Sequence, residues 1–330
     1  MKAATIYDVA KLAGVSHQTV TRFLSGFEGI RPETRSRVEA ALLELDYRPN
    51  SAARMLRSQR TNRIGVLADR VDQVGPARII AGATAAARER GYLLDIVLTD
   101  GEGIPAIQAA LAVVTEHRVA GITAIAQTDL MVEYLQQHAP AVPLVVDARK
   151  LAWPGGPPSS EVAGRIAADH LLDLGHRLVG YISGPAAWLA ASGRALGFVR
   201  RVRERGGEVA WIRAGDWSAG SGAAAWSALN ADERAVSAIA TGNDSMAIGV
   251  ISAAARDGIR VPADLSVIGT DDIDESRHLL PALSTVAIDF EGEGRWMIQQ
   301  LLEEVQPDTS APGGVRPPAL RARDSTRPWA

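Results

Sequence analysis

His17, Gln18, Thr21 and Arg22 fall on one face of the stretch "VSHQTVTRFLSG", and Val20, Phe23 and Leu24 fall on the other. This is the pattern of a short amphipathic helix that turns its hydrogen-bonding groups outward. Those groups carry a specific chemistry. A Gln amide pairs in bidentate fashion with adenine and an Arg guanidinium with guanine, so Gln18 and Arg22 on such a helix could read base edges in a DNA major groove. A plain three-helix module with a solvated polar face shows the same pattern.

The elements around this face must position it. In "TIYDVAKLAG", Ile6, Val9, Ala10 and Ala13 follow i, i+3, i+4, i+7; Thr5 and Asp8 stand at capping-box spacing and Gly14 closes the helix. Ser16 can cap the second helix. In "RPETRSRVEAALLELDY", Pro32 occupies a tolerated first turn and Val38, Ala41, Leu42 and Leu45 form a third apolar stripe. Two short helices joined by a turn containing Gly make a helix-turn-helix, whose second helix enters the major groove. Charge agrees with this reading: residues 1–60 carry a formal +4, and the remainder −7.

Next comes "RPNSAARMLRSQRTN", whose centre, Asn50 to Leu56, has a capping residue and good helix formers. Seven residues fall well short of the ~12–15 an isolated helix needs in water, so another contact must hold this segment. From Arg63 onward, short apolar runs such as "IGVLA" and "LSTVAIDF" alternate with helical stretches, an open α/β pattern. "WPGGPPSS" near residue 155 breaks the pattern at a plausible lobe crossover. There is no Cys, which fits a reducing compartment. Asp8 and Lys11 sit where a secretory signal would need apolar residues, and no run approaches ~18 uncharged apolar residues, so a soluble cytoplasmic protein is expected.

The motifs "TIYDVAKLAGVSHQTVTRFL", "RVEAALLELDYRPNSAARMLRS", "LGHR", "GNDSMAIG" and "VIGTDD" together resemble the lactose/galactose repressor (LacI/GalR) family over nearly the whole chain, and "GDWS" resembles its lactose-repressor branch. The resemblance implies an N-terminal all-α helix-turn-helix domain (1–48), a hinge helix and linker (49–61), and an α/β two-lobe periplasmic-binding-protein-like body (62–330). Lobe 1 would cover about 62–160 and 291–322, and lobe 2 about 161–290. It implies DNA contact by Thr5, Tyr7, Ser16, His17, Gln18, Thr19, Thr21 and Arg22, and by a hinge helix that folds on operator DNA through Asn50, Ala53, Arg54, Leu56 and Arg57. Leu56 would wedge into the minor groove, where an apolar side chain unstacks a base step. The implied partners are near-palindromic double-stranded operator DNA, a second copy of the chain and a small sugar-like effector, with no membrane, metal or cofactor.

Candidate effector residues lie where strands end, the place at which open α/β sheets bind ligands. Trp217 follows the strand "EVAWIR" and could stack on the apolar face of a sugar ring; Asn243 and Asp244 follow "IAT", and Asp271 and Asp272 follow "LSVIG". By family motif, Pro76, Ile79, Asp147, Arg194, Trp217, Asn243 and Asp271 would contact the effector. Ala190 and Ile288 stand where the branch has Ser and Gln, removing two hydrogen bonds and arguing against a galactoside. Each candidate has a plainer reading: lobe packing for Trp217, an ion pair for Arg194, strand-end caps for the aspartates.

The expected function is a transcriptional repressor released by its effector, with an effector-activated binder as the alternative and a sugar-binding protein or enzyme further off. "TDDIDES" could group carboxylates around Mg²⁺, but no P-loop or G-x-G-x-x-G fingerprint occurs. His170 and His176, six apart, cannot share a helix face as HExxH requires. The Pro-rich tail lacks a Leu heptad, so nothing in it supports assembly beyond a dimer.

Overall fold

The computed structural model describes residues 4–24, 26–47, 61–99, 103–116, 118–146, 157–306 and 314–329. The chain divides into two compact units, Met1–Thr61 and Asn62–Ala330.

The first unit holds α1 (Ile6–Ala13), α2 (His17–Leu24) and α3 (Pro32–Glu44). Both halves of the capping box form at α1: the Asp8 carboxylate accepts from the Thr5 amide at 2.8 Å, and the Asp8 amide donates to Thr5 Oγ1 at 3.3 Å. Gly14 closes the helix in the left-handed region at φ 63°. Val9, Ala10, Ala13, Val20, Val38 and Ala41 form the buried centre, and Ile6, Phe23, Leu24, Leu42 and Leu45 pack around it. The expected hinge, Asn50 to Leu56, lies outside the described residues.

The second unit has two α/β lobes. Lobe 1 contains β1 (Arg63–Ala68), α4 (Val74–Glu89), β2 (Leu93–Leu98), α5 (Gly103–Glu116), β3 (Ile122–Ile125), α6 (Asp129–Gln137) and β4 (Leu144–Val146). Its sheet runs β2-β1-β3-β4, all parallel. Lobe 2 contains α7 (Ser159–Asp173), β5 (Leu178–Ser183), α8 (Leu189–Glu204), β6 (Glu208–Ala214), α9 (Ala219–Ser227), β7 (Ala238–Thr241), α10 (Asp244–Arg256), β8 (Ser266–Thr270) and β9 (Ser284–Ala287). α11 (Phe290–Val305) and β10 (Ala319–Arg321) complete the unit. The second sheet runs β10-β9-β8-β7-β5-β6, parallel except for β10 against β9.

Three helix pairs carry the walls of these lobes, and each crosses with a glycine on both members. α4 meets α11 at Gly82 and Gly294, α7 meets α8 at Gly164 and Gly197, and α9 meets α10 at Gly222 and Gly249. A Cβ on Gly294 would lie 1.9 Å from the Ile79 carbonyl oxygen, so the helices touch backbone to backbone. Gly294→Ala is therefore expected to cost about 1–3 kcal/mol by overpacking, read as a lower urea midpoint; an unchanged midpoint would show that α11 can slide.

One lobe boundary differs from expectation. α11 packs on α4 in lobe 1, whereas β10 and the residues after it, to 329, lie with the lobe 2 sheet, although the expected first lobe ran over about 291–322. The reason is the open edge of β9, whose backbone groups β10 satisfies. Beyond β10 the chain straps the sheet: Val267 N donates to the Ser325 carbonyl at 2.9 Å, and Trp329 N to the Leu174 carbonyl at 2.7 Å.

His176 is fully buried under this strap. Its Nε2 faces the Arg327 carbonyl at 3.1 Å, which makes Nε2 the donor, and its Nδ1 lies 2.8 Å from Ser237 Oγ. Burial holds the imidazole below its ordinary value, as it does that of His170, which contacts Thr326. The unfolded chain then takes up protons that the folded one does not, so stability is complete above about pH 6.5 and falls as pH drops below it. His176→Asn is expected to flatten that part of a urea-midpoint profile; an unchanged slope below pH 6.5 would remove His176 as the cause.

Candidate functional site

On the first unit, capping leaves a defined outer face. The Thr19 amide donates to Ser16 Oγ at 3.2 Å, and Thr21 Oγ1 donates to the His17 carbonyl at 2.9 Å. These hydroxyls are thus occupied within α2, whereas His17, Gln18 and Arg22 stand exposed on its surface. Tyr7, also exposed, lies against His17 with ring centroids 5.2 Å apart, and the Arg22 guanidinium lies 5.6 Å from the Phe27 ring centroid. The structure therefore brings Thr5, Tyr7, Ser16, His17, Gln18, Thr19, Thr21 and Arg22 together on α1 and α2. Asn50, Ala53, Arg54, Leu56 and Arg57 lie outside the described residues.

In the body, a cleft of about 400 Å³ opens between the lobes, within the ~300–1,000 Å³ range of small-molecule sites. Pro76 and Ile79 reach it from α4; Ala190 and Arg194 from α8; and Trp217, Asn243, Asp271 and Ile288 from the ends of lobe 2 strands. Six of the seven expected effector residues thus share one cavity, and the seventh, Asp147, lies outside the described residues. The two departures, Ala190 and Ile288, line the same cavity.

The centre of the cleft is an ion pair. Arg194 Nη2 lies 2.8 Å from Asp271 Oδ1, and each side chain is only 6% exposed. The approach is ionic rather than an aligned hydrogen bond: Asp271 Oδ1, Arg194 Nε and Trp217 Nε1 are buried without a hydrogen-bond partner. Burial pushes the Asp271 carboxyl above the ordinary carboxylate range, with the Arg194 charge opposing. Arg194 also donates to the Gly242 carbonyl and lies 5.6 Å from the Trp217 ring centroid. Three residues here, Trp217 (φ 74°), Asp271 (φ 109°) and Asp272 (φ 50°), adopt a left-handed backbone that side chains disfavour, and strain of this kind gathers at binding sites.

Several expected contacts take a more structural form. Trp217 is 6% exposed, and Gly184 makes room for its ring, so only part of the indole reaches the cavity. Asn243 caps α10 by accepting from the Met246 amide at 2.9 Å, and its Nδ2 donates to the Trp217 carbonyl at 2.9 Å. Asp244 is wholly buried and accepts from Ser276 Oγ and from the Ile273 amide; burial, then the Asp271 charge, push its carboxyl up to about 7. Asp272 faces away from the cavity toward Arg323, at 2.6 Å.

Sequence reasoning missed Trp188, Gln127, Phe290 and Glu293, all of which line the cleft. Trp188 lies 5.8 Å from Trp217 by ring centroids, and the Leu189 amide beside it crosses to the Gln127 carbonyl of lobe 1 at 2.8 Å. Gln127 follows β3 and Trp188 follows β5, so the strand-end rule could have found both. Among the described residues no group of three His, Cys, Asp or Glu side chains is placed to hold a metal ion, and no helix is long and apolar enough to cross a membrane.

Residues 5–50 match the model for bacterial regulatory proteins of the lacI family, and residues 168–326 that for a periplasmic binding protein-like domain. The chain is 31% identical to the lactose operon repressor of Escherichia coli (strain K12), over 99% of this chain and 91% of that protein. It is 33% identical to the HTH-type transcriptional repressor PurR of Proteus mirabilis (strain HI4320), over 92% and 90%. A lac repressor dimer solved with operator and the anti-inducer ONPF superposes with a TM-score of 0.86 at 29% identity, covering 99% of this chain and all of that one. These relatives are transcriptional regulators.

Proposed function

Since the chain belongs to the lacI family of bacterial regulatory proteins, and is a DNA-binding transcriptional regulator with a periplasmic-binding-like effector domain, we propose that it represses transcription from a near-palindromic operator and is released by a small sugar-like effector. Residues 1–48 would bind DNA, 49–61 form the hinge, and 62–330 bind effector and a second copy of the chain. The observation that carries the effector reading is the cleft, where a buried ion pair, an unpartnered indole N–H and a Pro–Ile wall present the mixed polar and apolar lining that a hydroxylated ring requires. Ala190 and Ile288 in that lining favour a ligand other than a simple galactoside.

A second copy of the chain suits the edge of lobe 1. There β2 is an outer strand on which Leu93, Ile96 and Leu98 are 43–55% exposed, an apolar edge that soluble proteins cover. Two-fold pairing would place two α2 helices on two half-sites. Because the proposed partner is DNA, the protein would work in the cytoplasm, and the regulator reading leaves it no reaction to catalyse.

The test is selection of bound sequences from random DNA, followed by affinity measurements. A near-palindrome is expected. Gln18→Ala or Arg22→Ala should weaken binding to it by about 1–3 kcal/mol and hardly affect random DNA. Equal loss on both DNAs would assign these side chains to phosphate contact, and no selected sequence at all would remove the repressor reading.

A further inference from the structure

Arg78 lies on α4 of lobe 1, between the two cleft residues Pro76 and Ile79, but its guanidinium reaches across to lobe 2. Nη1 donates to the Asp271 carbonyl at 3.1 Å and to the Asp272 carbonyl at 3.4 Å, and Nη2 to the Asp272 carbonyl at 3.4 Å. The receiving dipeptide is held from every other side. The Asp271 carboxylate faces Arg194 in the cleft, and that of Asp272 pairs with Arg323 at 2.6 Å. The Asp271 amide donates to the Val286 carbonyl at 2.9 Å. Both residues carry positive φ without being glycine, so the turn persists only because its surroundings impose it.

We propose that Arg78 is the pin that couples the setting of the two lobes to the state of the cleft, acting through the Asp271–Asp272 turn. The inference rests on the effector reading of the cleft and adds to it a route. A ligand that engages Asp271 or Arg194 pulls on a turn with no slack, and the turn's carbonyls hold a lobe 1 helix that also forms the opposite cleft wall. Closely packed elements shift between discrete settings rather than stretching, so loss of Arg78's hold favours a different lobe setting. Arg78 does not itself line the cavity and meets a lining residue only at the Asp271 backbone carbonyl, so in this scheme it is a positioning residue.

The test needs no effector. The chain contains no Cys, so Arg90→Cys and Ala255→Cys, on exposed positions of the two lobes, supply the only spin-label sites. Labelled chain is diluted with unlabelled chain so that each pair reports one molecule by double electron–electron resonance. The wild-type arginine should give one narrow distance. Arg78→Ala should broaden it or move its mean by more than about 2 Å. Asp271→Asn, which keeps the turn's shape but removes its charge, should move the same distribution, and the combined variant should move it no further. A wild-type distribution in folded Arg78→Ala overturns the pin. A change with Arg78→Ala but none with Asp271→Asn, or additive changes, overturns its link to the cleft. Should Arg78→Ala fail to fold, Arg78→Lys decides by the same measurement, because an ammonium cannot span both carbonyls as the guanidinium does. A protein that meets these expectations yet responds to no sugar loses the effector reading alone.

Discussion

Arg194→Met is expected to lower the unfolding free energy of the body by about 3–5 kcal/mol at neutral pH, the cost of leaving a buried charge without its partner. The partner is Asp271, 2.8 Å away and almost wholly enclosed. Its carboxyl is already pushed upward by burial, and the Arg194 charge is the main influence opposing that. Removing the guanidinium raises it further, so the folded variant holds a proton that the unfolded chain has released. The sign follows: stability in Arg194→Met falls as pH rises from the ordinary carboxylate range toward the raised value, and the deficit shrinks on acidification. Adding Asp271→Leu should recover most of the loss, since apolar replacement of a whole buried pair is often neutral. Urea unfolding at pH 5.5 and pH 7.5 checks all three statements. A single variant with the wild-type midpoint, or a double variant as weak as the two losses combined, would show that the pair does not act as one buried unit.

The same pair shows how far the sequence could be read. Arg194, Asp271, Trp217 and Asn243 were legible because each stands at a strand end or in a short motif, and the fold brings strand ends to one cleft. The caps at Thr5, Asp8 and Gly14 were legible for a local reason: a capping box joins residues three apart, and nothing distant can alter it. What each residue does was harder to see. Asn243 spends its amide on a helix cap and on the Trp217 backbone, and Trp217 lies mostly under Gly184. These are consequences of packing between segments separated by tens of residues.

The strap and the interlobe ties were hidden for the same reason. Ala319–Arg321 is too short and too ordinary to announce a strand, and it becomes one only because β9 offers an open edge. Arg78 reads as a solvated charge in "GPARIIAG", and its partners are backbone carbonyls nearly two hundred residues away, which carry no side-chain signal at all. Trp188 sits in "GPAAWLAAS", with no polar neighbour to mark it as part of a site.

The second large effect joins the cleft to DNA. A sugar found by thermal shift should, at saturation, weaken binding to the selected operator by roughly 5–150-fold, the range of a ~1–3 kcal/mol coupling, and operator must weaken sugar binding by the same factor. The direction depends on which lobe setting the sugar prefers, because a ligand shifts an equilibrium only by its differential affinity for the two states. Trp217→Ala separates the parts. The indole belongs to the cleft of the second compact unit, whereas the exposed readout face of Gln18 and Arg22 belongs to the first. The variant should therefore lose the sugar response while keeping nearly the wild-type operator affinity without sugar. Operator titrations monitored by fluorescence anisotropy, with and without sugar, read both quantities. Loss of operator binding in a folded Trp217→Ala protein would make the residue a structural brace, consistent with its burial against Gly184, and a sugar that tightens the complex would make the effector a corepressor. Unequal factors measured from the two ends would mean that sugar and operator are not linked through one equilibrium.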